Sequence, residues 1–186
     1  MKQFLIVILA FLSISLAKSY PYTHDGFFLN FALGPGIQGF GYNGNVEGAD
    51  GHFSDADGGS LEFEMKIGGR VLPYTVLHVT YAAIGPMSGN DEMMYLLGLG
   101  ATYYIRPYNF FVGGTLGSSQ FRTGLGASDY GFGFQILGGK EWWVSENWGI
   151  GTALSLTYGT ASDYNGRGSV DLSAFSVNLL FSATFN

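Results

Sequence analysis

His52 stands two residues before Ser54, with Asp55 next to the serine and Glu62 further along the chain. A hydroxyl, an imidazole and a carboxylate can supply a nucleophile, its base and an orienting acid. His52, Ser54 and Glu62, with Asp55 as the other possible acid, are therefore the candidate catalytic residues. Most of this set falls in a Gly-rich stretch rather than at a firm strand end, where catalytic geometry is better held. The expectation is a protein that is not an enzyme. Asp55 and Asp57 are the candidate metal ligands, since hard divalent cations collect several oxygens. The rest of a calcium-loop pattern is missing, so a solvated acidic loop with Glu47 and Asp50 is expected, and no metal site or cofactor. A third group is Glu62, Glu64, Lys66 and Arg70, at alternate positions. In a strand these lie on one face, with about 7 Å from Glu62 to Glu64 and from Glu64 to Lys66 and about 14 Å on to Arg70, at a rise of about 3.4 Å per residue. Opposite charges at that spacing can pair, and the reading is an internal polar network. His24 and His78 read as interfacial and interior polar residues respectively.

The elements that must position these groups follow from period-two alternation. Over Ser60–Gly68, Leu61, Phe63, Met65 and Ile67 share one face and Glu62, Glu64 and Lys66 the other. Near the chain end Phe175, Val177, Leu179, Phe181, Ala183 and Phe185 alternate with Ser176, Asn178, Leu180, Ser182 and Thr184. That run has the length of about 9–11 residues that a tilted strand needs to cross a bilayer. Similar series begin at Phe27, Leu77, Tyr95, Phe110, Tyr130 and Trp148, making eight strands in all. An even number lets an up-and-down meander close with no free edge, and closure is obligatory in lipid. Short connections are expected near Leu72-Pro73-Tyr74, Arg106-Pro107-Tyr108-Asn109 and Ser145-Glu146-Asn147, on the periplasmic side. Longer outer loops are expected over Tyr42–Gly59, Gly85–Asp91, Ser119–Asp129 and Gly159–Ser169. Gly98, Gly100, Gly131, Gly133, Gly149 and Gly151 oppose the apolar series and leave room for larger interior side chains.

Composition bounds the class. Only 12% of residues are charged while 17% are aromatic and 30 are Gly, which does not suit an ordinary water-facing surface. Beyond the first twenty residues no apolar run approaches the roughly 20 needed for a membrane helix. With no Cys, thiolate chemistry and disulfides are excluded, and the net charge of −6 argues against nucleic acid as a partner. Met1-Lys2-Gln3, the apolar Phe4–Leu16 and the small-x-small Ser15-Leu16-Ala17 read as a signal peptide, 1–17, cleaved after Ala17, leaving 18–186 as the barrel. Tyr103, Tyr108, Trp142, Trp143 and Trp148, with Tyr104, Phe110 and Phe111, gather at the short turns. This is the placement of an aromatic girdle at the headgroup level. Strict alternation aims Lys140 at lipid; a bulge at Gly138-Gly139 or snorkelling would relieve it.

The signal segment, eight amphipathic strands, alternating connection lengths and a last strand ending in Phe185 together resemble the small OmpA/OmpX-like outer-membrane β-barrels. The resemblance implies an all-β, eight-stranded antiparallel transmembrane barrel in the outer membrane, inserted by the barrel-assembly machinery. It implies a filled interior and a non-catalytic, structural or surface-interaction role, with outer-membrane lipids and an unidentified loop ligand as partners. Asn186 after Phe185 departs from the usual aromatic terminus. Two other functions are open. The His-x-Ser pair with a carboxylate is similar to the arrangement in outer-membrane lipid A deacylases. A soluble periplasmic barrel of lipocalin type would instead turn the apolar faces inward.

Overall fold

The computed structural model describes residues 22–44, 58–87, 92–123, 126–164 and 169–186. The signal segment and His52, Ser54, Asp55 and Asp57 lie outside the described residues. Eight long strands form the barrel: β1 Phe27–Gly44, β2 Gly58–Leu72, β3 Thr75–Pro86, β4 Met93–Ile105, β5 Phe110–Thr123, β6 Gly131–Trp143, β7 Trp148–Tyr164 and β8 Ser169–Phe185. Each pairs antiparallel with the next, and β1 pairs with β8 from Leu29↔Phe185 to Gly44↔Val170, so the hydrogen-bonded ring is closed. Gly126 and Ala127 fold back on Arg122 and Thr123 as a short extension of β5. No helix among the described residues is long and apolar enough to cross a membrane.

The alternation decides which way each face points. Leu33, Leu61, Leu77, Leu99, Leu116, Ile136, Leu154 and Phe181 are all exposed on the outer wall. Their neighbours Glu62, Thr80, Thr115, Gln135, Ser155 and Asn178 are buried inside. That arrangement is apolar-out and polar-in, the reverse of a lipocalin-type barrel, and suits a hydrocarbon solvent outside. The short connections sit where expected: Pro73-Tyr74, Arg106–Asn109 and Val144–Asn147. Tyr74 and Asn109 adopt φ of 62° and 53°, the left-handed backbone such tight turns use. Tyr22 N–H donates to Glu146 O and Asn186 N–H to Asn147 O, which places both described ends at this same mouth.

At the other mouth the strands run further than the alternation suggests. β1, β7 and β8 have 18, 17 and 17 residues, well beyond the roughly 9–11 needed to cross a bilayer. Segments read as the start or end of outer loops, such as Gly159–Tyr164 and Ser119–Thr123, are paired strand. The polar composition of these segments suits a barrel that continues past the membrane. β1 also passes through Gly34-Pro35-Gly36; Gly34 and Pro35 have no partners in the ladder with β8, as a strand proline requires.

Candidate functional site: the barrel interior and its mouth

The interior is filled in layers rather than uniformly polar. Towards the long-loop end an apolar cluster holds Phe40, Ile84, Met94, Phe121 and Leu172, with Phe40 and Phe121 edge to face at 5.1 Å. Towards the short-turn end a second cluster holds Phe28, Val76, Tyr104, Phe111, Leu137 and Leu180. Tyr104 and Phe111, grouped above with the girdle, are thus inside the barrel. Both fall on the interior parity of their strands, and the clustering of aromatics around the turn had masked that parity.

Between the two clusters lies a polar layer centred on Glu62, while Glu64, Lys66 and His78 are interleaved with the second cluster. Glu62 Oε1 accepts hydrogen bonds from Gln135 Nε2 at 2.8 Å and Ser155 Oγ at 3.2 Å, and Oε2 accepts from Asn178 Nδ2 at 2.7 Å. Asn178 Oδ1 in turn accepts from Ser60 Oγ at 2.6 Å. Lys66 Nζ pairs with Glu64 Oε1 at 2.6 Å, both side chains almost wholly buried. His78 lies between Thr80 and Thr102 at 2.9 and 3.0 Å from its ring nitrogens, in space left by Gly100, as an interior polar residue should. Burying charge is tolerable only when it is paired and hydrogen-bonded: Glu62 is held by cross-strand bonds spanning the barrel, and Glu64 by Lys66 two residues along the same strand. Gln135, Ser155 and Asn178 were missed by looking for charges; strand parity alone would have found them.

Arg70 corrects the expected network. It continues the inward parity of Glu62, Glu64 and Lys66, yet it sits at the mouth, where the β2–β3 register shifts between Arg70 and Leu72. Its side chain is 41% exposed and pairs with Asp25 at 2.6 Å. Glu62 likewise belongs to the structural layer, bound to Gln135, Ser155 and Asn178. Its candidate partners His52 and Ser54 lie outside the described residues.

The girdle divides. Tyr103, Tyr108, Trp142 and Trp148 are exposed on the outer wall at the short-turn end. Trp143 shares the inward parity of Glu141 and faces the mouth, its ring 4.9 Å from His24 and 6.2 Å from Tyr22. Lys140 does point outward, with no bulge in its ladders. Its ammonium lies 4.5 Å from the Phe110 ring centre and 5.7 Å from that of Trp142, a snorkelled cation among girdle aromatics.

The mouth itself holds residues that sequence reading placed elsewhere. Tyr22–Gly26 turns in beneath the barrel, and His24 is buried rather than interfacial, 3.4 Å from the Tyr104 ring centre. Its Nε2 is 3.3 Å from Glu141 Oε1 without hydrogen-bond alignment, and neither ring nitrogen has a hydrogen-bond partner. Burial, aided by the nearby Arg106 charge, lowers the His24 pKa to about 3, so the ring is neutral. Glu141 itself occupies space left by Gly149. Beside His24 opens a recess of about 180 Å3 edged by Arg70, Arg106 and Tyr74. Among the described residues no group of three or more His, Asp or Glu side chains is placed to hold a metal ion.

A closed ring of eight antiparallel strands, apolar outside and packed inside, is the fold of the small outer-membrane barrels. Neisserial surface protein A has this fold: it superposes with a TM-score of 0.55 at 17% identity, over 87% of this chain and 99% of that one. OprG, an outer membrane protein of Pseudomonas aeruginosa, gives 0.44 at 10% identity over 90% and 98%. Ail, the attachment invasion locus protein of Yersinia pestis, gives 0.37 at 12% identity over 83% and 98%. No family model matches the sequence, and no curated protein does.

Proposed function

We propose that this protein is a non-catalytic barrel of the outer membrane that carries its long connections to the cell surface. The observation supporting this reading most directly is the packed interior. Two apolar clusters and the Glu62 layer between them leave the wall as a rigid mount rather than a conduit. A filled interior is what an eight-stranded barrel of this width accommodates. The outer wall meets lipid, the girdle of Tyr103, Tyr108, Trp142 and Trp148 fixes its depth, and the assembly machinery of the outer membrane inserts it. Function then resides in what the outer connections touch, in keeping with a Neisserial neighbour that is by name a surface protein. The test is paired. Refolded protein in planar bilayers should add no steady conductance, and cells expressing it should keep an unchanged lipid A mass profile. Discrete conductance steps, or a new lipid A species abolished by Ser54→Ala, would overturn the reading.

A further inference from the structure

The recess at the short-turn mouth is built unlike the rest of the barrel. Its lining carries two guanidiniums, Arg70 and Arg106, against one carboxylate, Asp25. Asp25 is already engaged, 2.6 Å from Arg70. Arg106 has no acidic partner among the described residues; its guanidinium lies 5.2 Å from the centre of the Tyr74 ring, which holds its planar fork in place. One positive charge is left over, presented by a side chain suited to bidentate recognition of a carboxylate. His24, whose side chain is 6% exposed, closes one side of the recess. The Trp143 ring beside it supplies an aromatic wall of the kind that packs against the C–H face of a sugar. At about 180 Å3 the recess is smaller than sites for drug-sized molecules and suits a single ring.

We propose that this mouth is a binding site for a sugar acid, with the carboxylate on Arg106 and the sugar face against Trp143. The proposal rests on the outer-membrane reading, which turns this mouth towards the periplasm. There the ligand is either a muramic-acid unit of the cell-wall glycan whose lactyl carboxyl is free of peptide, or a free hexuronate.

The experiment is a titration of the isotope-labelled barrel, refolded in detergent micelles, with N-acetylmuramate, glucuronate and N-acetylglucosamine, following Trp143 and His24 resonances. At least one of the two acids should bind saturably and at least tenfold more tightly than the neutral sugar. Preference for N-acetylmuramate assigns the cell wall as source; preference for glucuronate assigns the free acid. Arg106→Gln should weaken acid binding tenfold or more, and Arg106→Lys should restore part of it. No saturable shift with either acid, or equal binding by the Arg106→Gln variant, would overturn the proposal. Both variants should keep the mobility difference between unboiled and boiled samples. An intact mobility shift without binding defeats this site alone, whereas loss of the shift in the unmodified protein defeats the barrel reading beneath it.

Discussion

Single residues carry the interior, and their contributions differ in kind. Lys66 neutralises Glu64 where both side chains are buried. Lys66→Met should destabilise the barrel by about 3–5 kcal/mol, because it strands a buried carboxylate. Urea titration of the refolded protein reads this, and an unchanged midpoint would contradict the pairing. Glu62→Leu should also cost at least about 3 kcal/mol, since donors on Gln135, Ser155 and Asn178 would each lose an acceptor. His24 gives a pH dependence with a definite sign. Its folded pKa of about 3 lies below the ordinary 6.5, so between those values the unfolded chain binds the extra proton. The stabilising packing of His24 is fully present above about 6.5 and is lost as the pH falls towards 3. Its ring proton shifts should be flat from pH 8 to 5, and a midpoint near 6.5 would show an exposed ring. The sequence announced Glu62, Glu64 and Lys66 through charge at alternate positions. Arg70 followed the same parity but lies where the wall ends, and parity carries no information about height along the barrel axis. His24 precedes the first strand, so no periodicity could place it.

At the scale of elements, alternation was legible in every strand because the two faces meet opposite environments. Parity aimed Lys140 outward and left a bulge or snorkelling open, of which the structure shows the latter; Trp143, read as a girdle residue by its place at the turn, has inward parity and faces the mouth. Strand ends were less legible: outer residues of β5, β7 and β8 pair beyond the membrane, where the outer face need not be apolar. The apolar interior clusters were also hidden, since Phe40, Phe121 and Leu172 look like lipid-facing residues until their parity is fixed. The seam between β1 and β8 depends on close backbone approach. A Cβ on Gly34 or Gly36 would fall inside the van der Waals shell of Leu179 O or Val177 O. Gly34→Val should therefore block closure and leave chains that do not acquire a heat-sensitive fold. Gly58→Ala, at a β2 position where an added Cβ meets nothing within 4 Å, should fold normally.

For the whole molecule, closure joins the two ends of the chain: Leu29 pairs with Phe185 and Gly44 with Val170. Such distant pairing pays its loop-closure entropy before it is rewarded, so folding should be slow and all-or-none. A chain lacking 169–186 should have two free sheet edges and should not insert. The central claim is that this closed ring stands in the outer membrane with its apolar face in lipid. Its most direct test is electrophoresis of washed outer membranes, with unboiled and boiled samples side by side. A band that changes mobility only on boiling is the predicted result, whereas recovery in the soluble fraction with no shift would contradict the account.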